Sequence, residues 1–533
     1  MVKNANTRAD GRLWIGLSGA SLVLIVFMMA FLLYLLISNS VLALWPGNLE
    51  LVELRDGRSF LGQPLERNLD PDGRPRVRYK VANRELNGGA DFRWVGEAEI
   101  SERTLPADAV LVTRLENGDF FGFPRDSAEP IPARLAEFKK EWNAVIEPLR
   151  VELGRLGDRW QEIHLSGLKA DYEARRATDP KTRTAWLAKR ETLRKEEEET
   201  KAESEASLAD LNRARNKFTD AQIAFAVADG RDIVLPLSAV DSVIWPNRLN
   251  IAGKTGIFFR NIWNLLSQYP REANTEGGVF PALYGTILLV LVMSISAFPL
   301  GVAAGVYLRE YAKDNLLSRA ARVAVNNLAG VPSIVYGIFG LGFFVYGLGG
   351  GIDRLFFPER VEAGITTFGA GGIIWSSLTL GLLTLPVVVV ATEETLSTIP
   401  SEIRQGSLAL GATRFQTLWR VILPMATPGI MTGFILAMAR AAGEVAPLML
   451  TGAVKSAHAL ALDGTWPYLH LQRKFMHLGF HIYDMGFQSP NVEAVKPQVY
   501  LTATVLLILI FVLNLTAIAL RKKMRDKYAM RNF

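Results

Sequence analysis

Two charged residues interrupt an otherwise apolar run: Arg440 and Glu444, within ARAAGEVAPLMLTGA (Ala439–Ala453). Spaced four apart, they share one face if the segment is helical. On insertion scales a charge inside a membrane costs about 2.5–3.5 kcal/mol, so it normally faces a polar interior and has a partner. Two uses fit the pattern. The residues form a mutual ion pair that merely makes the segment insertable, or their face lines a path for a polar solute. In the second use Arg440 offers a planar fork of donors to an anion. Glu444 then holds that fork and weakens its grip, so that the anion is released.

Other chemistry is scarce. None of the 533 residues is cysteine, which excludes disulfide scaffolds, Cys-ligated zinc and thiol catalysis. Gly253-Lys254-Thr255 looks like the end of a phosphate-binding loop, but Arg248 stands where its first glycine belongs, and no second nucleotide motif follows. ATP is therefore expected on a separate chain, and no cofactor on this one. His477 and His481 have the spacing of helical metal ligands, with His470 nearby and only Asp484 as an acidic third. The expectation is no metal, and a partly amphipathic helix at the membrane surface instead. No Ser/His/Asp or paired-carboxylate arrangement stands out, so no catalytic residue is assigned.

The elements that position Arg440 are apolar blocks. Leu13–Ile37 carries no charge over a length sufficient to cross a bilayer, which takes about 20 residues. A signal peptide would have a shorter core and a cleavage site, so this reads as a retained span. Five more follow at Pro281–Leu308, Ala324–Leu348, Phe368–Thr392, Pro428–Thr451 and Val499–Leu520, all rich in small residues that permit close helix packing. Six spans put both ends on one side. Lys3, Arg8 and Arg12, Arg309, Lys313, Arg319 and Arg322, Arg404, Arg414 and Arg420, and the tail Arg521, Lys522, Lys523, Arg525 and Lys527 all fall there. Basic short loops mark the cytoplasm. Residues 46–275 then lie outside, in the periplasm, with the chain in a bacterial inner membrane. The net charge of +6 is that of such a protein, and no basic stripe with interleaved aromatics points to nucleic acid. Glu393 and Glu394 close the fourth span and read as solvated.

The organisation expected is a cytoplasmic tail and first span (1–45), an insert (46–275), a core of five spans (276–520) and a basic tail (521–533). In the insert, 48–133 and 221–245 are β-rich, with Asp56-Gly57, Asp72-Gly73 and Asn117-Gly118 as turns. Residues 134–220 form an antiparallel helical hairpin. Trp142, Ile146, Leu149, Leu153, Leu156, Trp160 and Ile163 follow a coiled-coil seam, Pro148 kinks it or marks a late start, and Thr178–Lys181 breaks it. The hairpin is a spacer or a docking arm for an envelope partner.

The stretch SEIRQGSLALGATRFQTLWRVILP (residues 401–424), between the fourth and fifth spans, has a short amphipathic helix, a glycine at 411 and a proline that restarts the chain. It resembles the EAA loop of ABC-importer permeases. Gly411, followed by the small Ala412, matches the glycine, Leu423-Pro424 match the ending with Val421 at the isoleucine position, and Gln405-Gly406-Ser407 keeps the small residues of the opening triplet and loses its acid. In that family the loop is a coupling helix that sits in a cleft of an ATPase subunit. Gly277–Thr286, Pro299–Tyr311, Asn326–Val345 and Ala439–Ala453 are similar to the PstA-type permeases of phosphate importers. The resemblance covers roughly residues 275–520 and the first span. It implies an α-helical polytopic protein of the type I ABC-importer permease fold, with an α+β insert that ordinary members lack. It also implies a PstC-type second permease, PstB-type ATPase subunits carrying ATP and Mg, and a PstS-type phosphate-binding protein. Arg440 and Glu444 then belong to the transport path. The alternative is a membrane-anchored scaffold or phosphate-signalling protein that acts through the insert.

Overall fold

The computed structural model describes residues 3–125, 131–457, 459–464, 466–489 and 492–529. Residues 126–130 of the β-rich segment and 530–533 of the basic tail lie outside the described residues. Among the described residues six helices are long and apolar enough to cross a membrane: Trp14–Leu44, Phe280–Tyr311, Ser333–Phe356, Ile373–Thr398, Arg414–Gly443 and Ala494–Asp526. The fourth is the hub, with most of its apolar window buried, whereas the first buries none of its own. Small residues set the packing. A Cβ on Gly433 would lie 2.5 Å from the Ala391 methyl, and one on Gly429 would lie 2.3 Å from the Thr395 hydroxyl, so only glycine lets the fifth span seat against the fourth. Near its carboxyl-terminal end the first span meets the last through Ser40 Oγ and Thr504 Oγ1, 2.8 Å apart.

Two spans differ from expectation. Ala324–Leu328 is no part of the third span. It ends a separate helix, Leu316–Leu328, whose capping box is made by Asn315 and Ser318 and which leaves Leu316, Leu317 and Val323 exposed. Gly330 and Pro332 then break the chain, and the span begins at Ser333. The fifth span does not run to Thr451. It stops at Gly443, and a short helix, Ala446–Thr451, follows.

The insert is built on two five-stranded antiparallel sheets. One has β1 (Glu50–Leu54), β2 (Ser59–Leu69), β3 (Pro75–Lys80), β4 (Phe92–Gly96) and β5 (Ile100–Thr104) in the order β4-β3-β2-β1-β5. The other has β6 (Val110–Arg114), β7 (Phe120–Pro124), β8 (Gln222–Ala226), β9 (Asp232–Pro236) and β10 (Val240–Ile244) in the order β10-β6-β7-β8-β9. Gly57, Gly73 and Gly118 have positive φ in the expected turns, where a Cβ would clash with the backbone. The hairpin, Ile131–Arg176 and Pro180–Asn216, is inserted between β7 and β8. Ile131, Leu135 and Phe138 root it in the core of the second sheet beside Phe120 and Phe225. Ile146 and Leu156 continue the seam, which turns polar further out, where Arg190 binds Asp171 at 2.8 Å and His164 meets Glu197 at 2.7 Å. Asp179 caps the second arm. Pro148 neither delays nor ends the first arm: it and Ala144 are exposed, so the carbonyl that a proline leaves unbonded faces solvent.

The hairpin lies against the loops that follow the third and fifth spans, and Arg175 pairs with Glu362 at 2.8 Å. At its base the insert is tied to the core by charge. Arg84 bonds Asp91 (2.6 Å), Glu272 and Glu276 (3.4 Å), and Lys80 bonds Asp119 (2.6 Å). Burial, and then the Asp119 carboxylate, pushes Glu276 from 4.5 up to about 7 against the pull of Lys80 and Arg84. A carboxyl that binds its proton more firmly when folded contributes stability that is complete below 4.5 and is lost as pH rises to about 7. Glu276→Gln should therefore melt with the wild type at pH 5 and several degrees above it at pH 8, read by thermal unfolding of the full chain. A gap that does not change with pH would contradict this.

Candidate functional site

The Arg440 and Glu444 side chains are brought together, Nε to Oε1 3.5 Å, and both are partly buried. They do not share a continuous helix face. Glu444 has φ −78° and ψ 137°, extended values at the end of the fifth span. The break has a local cause: Gly443 is a weak helix former, and Pro447 has no N–H to give the Gly443 carbonyl and would clash with it in a continuous helix. Depth follows from register. Gly429 lies over Thr395 and Gly433 over Ala391, so the antiparallel pairing carries Arg440 to the level of Thr384, near the middle of Ile373–Thr398. An interrupted backbone at that depth is tolerated where it is covered by protein or lines a polar cavity. The guanidinium keeps donors beyond its long contact with Glu444, so it can hold an anion with more than one hydrogen bond.

The second group of residues is at the other end of the bundle. Ser401–Ala409 is a helix with no buried residue. Gly411, at φ +86°, reverses the chain, and the Gly411 and Ala412 amides cap the carbonyls of Leu408 and Ser407. Thr413 and Gln416 form a capping box that starts the next helix. Gln405 and Gly406 are exposed, Ser407 Oγ lies 2.9 Å from Thr417 Oγ1, and Leu423-Pro424 opens the membrane part of the fifth span. Leu410 is 91% exposed, Phe415 and Trp419 are about as open as each other at 65% and 62%, and their rings stack. A protruding turn with an apolar tip suits insertion into another protein.

This turn is braced by residues whose role the sequence does not announce. Arg404 binds Glu310 at 2.8 Å and the carbonyls of Leu396 and Ile399 at 2.7 and 2.6 Å. Arg322 binds Glu393 at 2.7 Å and the Leu308 carbonyl at 2.6 Å. Glu393 is thus an ion-pair partner and not a solvated acid. Arg404 therefore ties the exposed helix to the adjoining ends of the second and fourth spans, while Arg322, on Leu316–Leu328, ties those two ends to each other. Only the abundance of basic residues in these loops was a signal, and it does not pair residues 94 apart.

His477 and His481 are not on a surface helix. Both are buried, His477 fully, in and beside the short helix Leu478–Tyr483. Burial pushes them down to about 3 and about 4, so both are neutral at physiological pH. Among the described residues no group of three His, Cys, Asp or Glu could hold a metal ion. Gly253-Lys254-Thr255 lies in the first turn of the helix Ile251–Ser267, where Asn250 caps the Gly253 amide.

Residues 297–526 match the family model described as binding-protein-dependent transport system inner membrane component. The phosphate transport system permease protein PstA 1 of Mycobacterium tuberculosis (strain CDC 1551 / Oshkosh) is 39% identical over 187 residues, 35% of this chain and 54% of its own length. The probable ABC transporter permease protein YqgI of Bacillus subtilis (strain 168) is 32% identical over 248 residues, 45% of this chain and 76% of its own. The phosphate transport system permease protein PstA of Yersinia pestis is 34% identical over 183 residues, 34% of this chain and 55% of its own. The chain thus spans little more than half the length of the two relatives named for phosphate transport.

Proposed function

The chain belongs to the family of binding-protein-dependent transport system inner membrane components, and on that premise we propose that it is a permease subunit of an ATP-driven ABC importer for inorganic phosphate. One observation carries the mechanism: a guanidinium and a carboxylate are paired across a helix break that lies level with the middle of the fourth span. Arg440 would take the anion, and Glu444 would compete for the same donors and speed its release. The phosphate assignment is supported by the names of the PstA relatives.

The same reading supplies the rest of the machine. The turn made by Gln405, Gly406, Ser407, Gly411 and Ala412, carried on Leu423-Pro424, would dock a PstB-type ATPase, which binds ATP and Mg and performs the hydrolysis. A PstC-type permease would complete the path, and a PstS-type protein would deliver phosphate. The insert lies with the loops after the third and fifth spans, which supports a periplasmic insert, cytoplasmic termini and a bacterial inner-membrane location. The domain division is a first span to residue 45, the insert 46–275, the core 276–520 and a basic tail.

The alternative, a scaffold or signalling protein working through the insert, needs neither the coupling turn nor the intramembrane pair. Co-purification separates them. A permease brings an ATPase chain and a second permease through detergent extraction. A scaffold comes out without an ATPase, and that result would sink the permease reading.

A further inference from the structure

We propose that the helix Ile251–Ser267, which joins the last strand of the insert to the second span, lies in the surface of the phospholipid bilayer and seats the insert on it. One side of this helix belongs to the bundle. Asn261 Nδ2 donates to the carbonyl of Leu44, the last residue of the first span, at 2.9 Å, and the Trp45 and Phe258 rings lie 6.0 Å apart. Leu265 is buried with Val279, Ala282 and Leu478, and its carbonyl accepts the Val279 amide at 2.7 Å, one residue before the second span begins. These contacts fix the height of the helix. It lies where two spans end on the side of the insert, at the boundary between hydrocarbon and headgroups.

A second side faces the insert. Lys254 Nζ donates to Asn48 Oδ1 at 2.5 Å, Ile257 shares an apolar recess with Val243 and Trp245, and Asn264 and Gln268 look into the polar base of the insert beside Lys80 and Arg84. The third side is open. Ala252, Gly256, Phe259 and Trp263 recur at intervals of four, three and four, which is one helix face, and all four are exposed. Phe259 and Trp263 are 63% and 69% exposed, and Tyr269 just beyond the helix is exposed as well. An apolar aromatic stripe backed by polar residues is the pattern of a helix lying in the plane of the interface, and Trp and Tyr favour that level. Arg260 follows Phe259 on the side toward the insert and is exposed, so its stem can lie along the stripe with its head among the lipid phosphates. The occupant follows from continuity. The stripe stands at the end of the first span, whose apolar window is wholly unburied, so a bilayer that covers the span covers the stripe. The inference rests on the six spans and not on the solute carried.

The chain has no cysteine, so a nitroxide can be placed at one position at a time. Ala252→Cys, Phe259→Cys and Trp263→Cys report on the stripe, and Asp72→Cys, in a turn of the insert, is the aqueous reference. The full complex is reconstituted in vesicles of phosphatidylethanolamine and phosphatidylglycerol, and the signal of the unmutated chain's complex is subtracted. Collisions of the nitroxide are measured with oxygen, which partitions into lipid, and with a neutral nickel chelate, which stays in water. At the stripe positions the oxygen-to-nickel ratio should exceed that at residue 72 several-fold. A ratio equal to that at residue 72 would put the stripe in water and overturn the proposal. Scarce collisions with both reagents would mean that a protein covers it, a second permease among others, and would overturn the proposal too. Ala252→Cys removes no aromatic ring, so it carries the measurement should either aromatic replacement fail to assemble. Phosphate uptake is not read, so failure of the transport reading leaves this result standing, and the reverse.

Discussion

Arg440→Gln should abolish phosphate uptake while the chain still reaches the membrane, assembles with its partners and supports ATP hydrolysis. The guanidinium lies level with the middle of the fourth span and has one long ion pair, which leaves its remaining donors available to a ligand. Glutamine keeps much of the length and the polarity, which spares insertion, but it removes the charge and the fork. Losing one member of a buried charge pair typically costs about 2–5 kcal/mol, or roughly 30- to several-thousand-fold. Arg440→Lys should recover little, because an ammonium cannot bind two oxygens in one plane. Glu444→Gln should behave differently. With the competitor gone, the anion is held longer and maximal uptake falls more than the affinity does. Wild-type uptake by Arg440→Gln would remove the residue from the path.

Leu410→Asp should detach the ATPase. Leu410 is the most exposed large apolar residue of the coupling turn and gains nothing in this chain from being apolar. An apolar tip seated in a partner cleft is the kind of contact that costs at least about 2 kcal/mol to remove, and a buried unpaired carboxylate adds to that. The expected result is a chain that stays in the membrane with the second permease, purifies with little or no ATPase, and transports nothing. An ATPase retained at wild-type stoichiometry with coupled hydrolysis would show that the turn is only a connection.

The parts of the molecule that read well from sequence are those set by local physics. Six apolar runs became six helices, because a run of that length with few or no charges has no other cheap conformation in a bilayer. Asp56-Gly57, Asp72-Gly73 and Asn117-Gly118 gave their turns, and Asp179-Pro180 gave the bend of the hairpin, since positive φ and a fixed proline φ are properties of single residues. The break after Gly443 was written in Gly443 and Pro447 but hidden by the apolar residues on both sides, which continue the hydropathy signal through it. The third span was overdrawn for the same reason, with Gly330 and Pro332 inside the apolar block. What stayed illegible is tertiary. Arg404 finds Glu310 and Arg322 finds Glu393 only after helices have packed. The burial of His477 likewise depends on the second span, where the Thr286 hydroxyl accepts the neighbouring Leu478 amide.

The central claim is tested most directly by labelled phosphate uptake at micromolar concentration, in cells deleted for this chain and complemented with it. Wild type should restore uptake, and an excess of unlabelled phosphate, but not of molybdate or a phosphonate, should compete. A chain present in the membrane with its partners that restores no phosphate uptake, or restores uptake of another oxyanion instead, would contradict the account.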